Sequence, residues 1–204
     1  MVTPMVTYDA PSALARVPLS LWLYLGLLCA TGVERLVELR ISKRNAAAAF
    51  ARGGQEVGRR HFAVMTVLHT LFLPACFLEA LLRHTAPPAL WPLLLLACGL
   101  AQGLRWWAIG ALGERWNVRI VFVPGEPPVT GGPYRFLRHP NYLAVVTELL
   151  CLPLLYGAVL SAAVFTAANA ALLWVRIRAE EEALGAGYQE RFAGVSRFLP
   201  GAKK

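Results

Sequence analysis

Two groups of residues in this chain combine types that can bind and handle a small charged molecule. The first is Gly131-Gly132-Pro133-Tyr134-Arg135-Phe136-Leu137-Arg138-His139-Pro140-Asn141-Tyr142, a polar turn set directly before an apolar run. Pro140 disfavours the helical conformation at His139, and proline fits the first position of a helix. His139 is therefore expected to cap a helix whose first turn holds Pro140, Asn141 and Tyr142. Such a helix end has unpaired N–H groups and the positive end of the dipole, and with Arg135 and Arg138 beside it the place suits a carboxylate. A capped helix with arginines at a membrane surface accounts for the same residues. The second group is Arg176-Ile177-Arg178-Ala179-Glu180-Glu181-Glu182. Arg176 and Glu180 lie one turn apart, as do Arg178 and Glu182. Arg before Glu is the weaker order for a helical ion pair, and acids near a helix C-terminus oppose the dipole. Surface pairing is one account of the pattern. Its unfavourable placement tilts the reading toward binding, because carboxylates accept hydrogen bonds from ribose hydroxyls or an ammonium group.

Three further ionisable residues, His69, Glu79 and Glu148, stand inside apolar runs. At membrane depth such a group is a functional hypothesis, because exposing it to lipid is costly. Glu148 follows Asn141 by two helical turns and so shares a helix face with the first group. For His69 an interhelical hydrogen bond explains the position as well as catalysis does. Glu79 is placed to snorkel or to pair with Arg83. Cys29, Cys76, Cys98 and Cys151 each lie within an apolar run without metal-ligand spacing, so they read as small buried residues, and no metal site is expected.

The elements that position these residues follow from composition. The chain has 204 residues, 57% of them hydrophobic, and a mean hydropathy of +0.51. Several apolar runs are too long for a soluble domain of this size, and an all-α integral membrane protein of about five transmembrane helices is expected. The net charge of +8 lies in the loops between those runs, which points to a membrane surface and not to nucleic acid. Residues 1–16 read as a loose tail. The spans fall at 17–33, 61–82, 90–112, 140–156 and 159–177, the last two forming a C-terminal hairpin too short to reach the far surface without tilting. Residues 34–41 continue the first span as an amphipathic extension at the interface. Residues 113–139 carry too many charges, prolines and glycines to cross lipid and should form an ordered loop. Of the 20 Lys and Arg, only Arg16 and Arg83 fall on one side of this arrangement. The positive-inside rule then places the N-terminus outside, and it puts the central loop and the C-terminal tail together on the cytoplasmic face.

Gly132-Pro133-Tyr134, Arg138-His139-Pro140-Asn141-Tyr142, the helical hairpin and Arg176 with Glu180-Glu181 resemble the isoprenylcysteine carboxyl methyltransferase family of membrane enzymes. Upstream, Glu34-Arg35-Leu36-Val37-Glu38-Leu39, Lys43-Arg44-Asn45, His69, Arg105-Trp106-Trp107 and Arg115-Trp116-Asn117 look like its small bacterial branch. That branch is associated with type III polyketide synthases and O-methylates alkylpyrones or alkylresorcinols. The resemblance spans most of residues 33–200 and implies one domain over 1–204 in a bacterial inner membrane. It also implies a cytoplasm-facing pocket for S-adenosylmethionine and a lipid-like acceptor entering sideways. Carried over, the cofactor residues are His139, Pro140, Tyr142, Glu180 and Glu181, with Tyr134 and Arg138 as additions. Arg176 would hold the acceptor oxygen, and Glu148 or His69 would act as base or orienting group. The element reads His-Pro-Asn-Tyr-Leu, whereas carboxyl-methylating members tend to have a glycine a little further on. Alternatives are carboxyl methylation of an isoprenylcysteine-like acid, a membrane reductase using NADPH, which Glu180 and Glu181 oppose, and a non-enzymatic lipid-binding protein.

Overall fold

A computed structural model describes residues 17–198; the expected loose tail at 1–16 and the end of the chain from Leu199 lie outside the described residues. Within them the chain forms α1 (Leu19–Ala51), β1 (Gln55–Val57), α2 (Arg59–Leu82), α3 (Trp91–Leu112), β2 (Ile120–Phe122), α4 (Pro140–Leu154) and α5 (Val159–Arg191). Helices α1, α2, α3 and α5 are long and apolar enough to cross a membrane. Their outward positions carry leucine, valine and tryptophan, for example Leu71, Leu93, Leu100 and Trp174, all exposed. A water-facing helix would be polar there, so the outer surface is built for lipid. The protein is an all-α integral membrane protein.

The hairpin departs from expectation in its proportions. Helix α4 has 15 residues, a length of about 22 Å, which is less than the hydrocarbon core of a bilayer. Helix α5 has 33 residues and is interrupted at Gly185, whose φ of 71° and ψ of −165° are non-helical. Its polar C-terminal turns therefore continue the spanning helix and carry Glu180 and Glu181 up to the start of α4. The turn between the two helices needs Gly157, with φ +73°; a Cβ there would stand 3.1 Å from the Ala86 carbonyl oxygen.

Residues 34–41 do not form a separate interfacial element. They continue α1 without a break to its cap at Arg52. Glu38 is buried and Arg35 turns inward, because Arg105 of α3 and Glu148 of α4 supply partners for them. Glu79 pairs with Arg83, as expected, and has further partners. Its ion pair with Arg83 is long, at 3.9 Å, while its carboxylate accepts hydrogen bonds from the Leu160 and Ser161 amides at 2.9 and 2.6 Å. A side chain of α2 thus caps the N-terminus of α5, occupying donors that the helix leaves unpaired.

One core holds the end of the bundle away from the polar residues. There Leu21, Tyr24 and Leu28 of α1 pack on Phe72, Cys76 and Ala80 of α2 and on Leu149 and Leu152 of α4. Between membrane helices such packing works through close van der Waals contact and not through expulsion of water. At the other end Ala108, Tyr134, Tyr188 and Phe192 form a smaller cluster that joins α3, the central loop and the tail. The central loop is ordered, as expected, and its anchors come from α1. Asn45 donates to the carbonyls of Gly113 and Trp116 at 3.1 and 2.9 Å, and Ser42 accepts from the Val118 amide at 3.0 Å. Strand β2 pairs antiparallel with β1, Glu56 opposite Val121, and ties the loop to the α1–α2 turn.

Candidate active site

The turn before α4 and the acidic segment of α5 meet. His139 occupies the N-cap position of α4 with a non-helical backbone, φ −128° and ψ 59°, outside the α conformation that Pro140 disfavours. Its ring donates from Nε2 to Glu181 Oε1 at 3.0 Å and stacks on Tyr142 with centroids 5.2 Å apart. Glu181 also receives Arg197 through Nε and Nη2 at 2.9 and 2.6 Å, and this bond holds the Arg197 guanidinium above its already high ordinary pKa. The tail folds over the turn. Ser196 and Arg197 carbonyls accept from the Arg138 and His139 amides at 2.9 and 3.3 Å, and Arg138 Nε donates to the Val195 carbonyl at 2.6 Å.

On the other side of the His139 ring, Tyr142 donates its hydroxyl to Glu180 and accepts from Arg176 Nε at 2.8 Å. Arg176 also donates to the Val118 carbonyl. Its guanidinium lies 5.7 Å from the Tyr142 ring centre. The residue is 3% exposed, yet its Nη1 has no partner among the described residues. A buried guanidinium N–H left unpaired is costly, so this atom is available to whatever enters. Burial, with Glu180 and Tyr188 nearby, pushes the Tyr134 phenol well above its ordinary pKa, so it remains a neutral hydroxyl.

These residues border a cavity of about 730 Å³, within the range of small-molecule sites. Its lining includes Tyr134, Arg138, His139, Tyr142, Arg176 and Glu180 together with Leu25, Leu28, Phe62, Leu73, Phe77 and Val145. Polar and apolar side chains therefore border one continuous cavity.

The sequence matches the model of the isoprenylcysteine carboxyl methyltransferase (ICMT) family over residues 93–186. An uncharacterized protein, YpbQ, of Bacillus subtilis (strain 168) is 37% identical over 163 residues, covering 80% of this chain and 95% of that protein. An uncharacterized protein of Haemophilus influenzae (strain ATCC 51907 / DSM 11121 / KW20 / Rd) is 29% identical over 151 residues, 74% of this chain and 88% of its own length. The chain belongs to the isoprenylcysteine carboxyl methyltransferase family. Membership makes it a membrane methyltransferase dependent on S-adenosylmethionine.

In this methyltransferase the residues singled out from the sequence divide three ways. Tyr134, Arg138, His139, Tyr142, Glu180, Arg176 and His69 line the cavity; Pro140 and Glu181 stand behind it, and Glu148 stands apart from it. Glu181 faces His139 and Arg197, so the two adjacent glutamates have different partners. Arg138 is engaged by the tail at Val195 and Gln189. Glu148 bonds Arg105 and Arg35 at 3.1 and 3.3 Å, and both arginines reach Glu38. Asn117, part of the Arg115-Trp116-Asn117 element, and Asn169, which sequence reasoning passed over, line the cavity with an Nδ2 each that has no partner among the described residues. The signal for Asn169 was an amide inside the apolar stretch of α5. Arg197 was also missed, since nothing local marks it as the partner of Glu181.

Proposed function

We propose that this methyltransferase transfers a methyl group to a hydroxyl oxygen of a long-chain, membrane-dissolved polyketide, such as an alkylpyrone or alkylresorcinol. The observation that carries the reading is that one cavity is lined both by Glu180 with its polar neighbours and by apolar side chains of α1 and α2. A cofactor with a carboxylate, an ammonium group and a ribose needs both signs of partner, and a lipid acceptor needs an apolar approach to the same point.

The residues at the polar end fit S-adenosylmethionine. Glu180 faces the cavity as an acceptor for hydroxyl or ammonium hydrogens, Asn141 keeps an unpartnered Oδ1, and Tyr134 and Tyr188 add aromatic surface. His139, Tyr142 and Arg138 complete the wall, with Glu181 and Pro140 fixing the His139 ring and the start of α4. When bound, the cofactor supplies an electrophilic methyl group on a sulfonium. Charge falls during such a transfer, so placing the reactants and excluding water supply most of the acceleration. We assign Arg176 Nη1 to the acceptor oxygen, where a preorganised donor stabilises negative charge. We assign His69 to receive the hydroxyl proton, because it lines the cavity while Glu148 is engaged by two arginines. The positive-inside distribution favours a cavity opening to the cytoplasm in a bacterial inner membrane, and the acceptor class favours a functional link to a type III polyketide synthase.

Carboxyl methylation of an isoprenylcysteine-like acid is the second reading, favoured by the family's description. Purified protein in detergent, given labelled S-adenosylmethionine and either an alkylresorcinol or a prenylcysteine acid of matched tail length, distinguishes the two. Label in the hydroxyl lipid is the expected outcome. Label in the acid alone would replace this reading by the second, and transfer to neither would overturn both.

A further inference from the structure

Asn169 and His69 lie outside the cluster of Tyr142, Arg176 and Glu180, and their chemistry is complementary. His69 Nδ1 is 2.9 Å from the Met65 carbonyl oxygen. A carbonyl can only accept, so Nδ1 carries the hydrogen and Nε2 of the neutral ring is left as an acceptor. No described residue bonds Nε2, and the ring lines the cavity. Asn169 is 1% exposed, lines the same cavity and has an unpartnered Nδ2. Leaving this buried amide donor unpaired costs free energy unless something else satisfies it.

The two side chains stand at one level of the bundle. Helices α2 and α5 run antiparallel, since Glu79 near the end of α2 caps Leu160 and Ser161 at the start of α5. Further along, Phe72 and Phe165 meet edge to face at 5.4 Å. His69 is one turn before Phe72, and Asn169 is one turn after Phe165, each on the same helix face as its phenylalanine. The contact at the rings therefore continues into a facing pair, one an acceptor and the other a donor.

We propose that His69 and Asn169 form a head-group subsite that selects lipids presenting a hydroxyl beside a second oxygen, and discriminates against carboxylates. This rests on the methyl-acceptor reading given above. A phenol or enol hydroxyl donates to Nε2, and the neighbouring hydroxyl or carbonyl oxygen accepts from Nδ2. A carboxylate has no hydrogen to give Nε2 and sets lone pair against lone pair. A fully methylated head has also lost its O–H, so the subsite favours acceptor over product and assists release.

The test is equilibrium binding of a tritiated alkylresorcinol to the full-length, cofactor-free protein in lipid nanodiscs. Its dimethyl ether and a fatty acid of equal chain length serve as competitors. The wild type should bind the resorcinol about tenfold or more tighter than either competitor, in line with the loss of one or two buried hydrogen bonds. His69→Phe and Asn169→Leu should each weaken resorcinol binding about tenfold, and His69→Phe should leave dimethyl ether binding unchanged. His69→Gln, which can present a carbonyl oxygen, should restore part of the loss. Calorimetry with S-adenosylhomocysteine verifies that each variant is folded; for any that is not, the wild-type ligand comparison decides alone. Equal affinity for resorcinol and dimethyl ether, or unchanged resorcinol binding in both folded variants, would overturn the subsite. That failure with labelled transfer to the resorcinol intact leaves the O-methyltransferase reading standing. A wild type that prefers the fatty acid and labels only acids removes both.

Discussion

Two buried charged clusters lie within this bundle, and they end in opposite conditions. Glu34, Arg35, Glu38, Arg105 and Glu148 bridge α1, α3 and α4, and the two guanidiniums are shared among three carboxylates at 2.8 to 3.3 Å. Their charges are spent on one another, and each arginine keeps a single unpaired Nε. His139, Tyr142, Arg176, Glu180 and Glu181 bridge α4 and α5, and there an Nη1 of Arg176 and an Oδ1 of Asn141 remain open beside a cavity. Ionisable residues at membrane depth attract attention in both cases. Both clusters reach the cavity, the first through Arg35, Glu38 and Arg105 and the second through Tyr142, Arg176 and Glu180. The comparison teaches that what separates them is whether the charged ends are spent on one another or left for a ligand.

The largest effect expected from breaking this contrast lies in the closed cluster. Glu148→Ala leaves Arg105 and Arg35 short of a partner and should lower stability by about 3–5 kcal/mol, read as a drop in the thermal unfolding midpoint in detergent. S-adenosylhomocysteine affinity of the protein that remains folded should hold. An equal loss of affinity would join the two clusters into one functional unit. Arg176→Ala tests the open cluster and should reduce kcat about 100- to 1,000-fold while cofactor affinity, measured by calorimetry, changes little. Glu180→Gln should act on affinity instead. Loss of a charged acceptor weakens S-adenosylhomocysteine binding by roughly 1.5–3 kcal/mol. If Glu181→Gln had the larger effect, His139 positioning would matter more than direct contact at Glu180.

Glu79→Ala removes the cap from α5 at the far end of the bundle and should cost about 1 kcal/mol without altering cofactor binding. The smallest effect concerns Tyr134. Burial raises its phenol pKa in the folded protein, with Glu180 and Tyr188 contributing, so the folded state holds this proton more tightly than the unfolded chain does. Its contribution to stability is complete below about pH 10, the unfolded value, and declines as pH rises above it. The difference in unfolding midpoint between the wild type and Tyr134→Phe, measured from pH 7 to 11, should stay constant up to that point, and beyond it the wild type should lose stability relative to the variant.

Much of the site was legible because its signals are local. Pro140 after His139 announces a helix start whatever the rest of the chain does. Glutamates near the polar end of a long apolar helix announce a departure from simple amphipathicity. Apolar runs at 61–82 and 90–112 read directly as α2 and α3. Other features carry no local mark. Strands β1 and β2 have three residues each, too few for alternation to register, and exist because the loops holding them are brought side by side. The roles of Glu38 and Glu79 depend on partners far away in the chain, and a glutamate one turn from an arginine reads as a local pair until those partners are seen.

Residue order alone determined the membrane class, the bounds of α2 and α3, the starts of α4 and α5, and the family, because hydropathy, proline geometry and a spaced motif act within a few turns of chain. Only the tertiary structure decided which charges cancel and which stay open. It divided Glu180 from its neighbour Glu181, committed Glu148 to arginines, and set Asn169 level with His69. Those outcomes depend on how helices distant in sequence face one another, and in a protein interior the free energy of a polar group is set by the partner it meets.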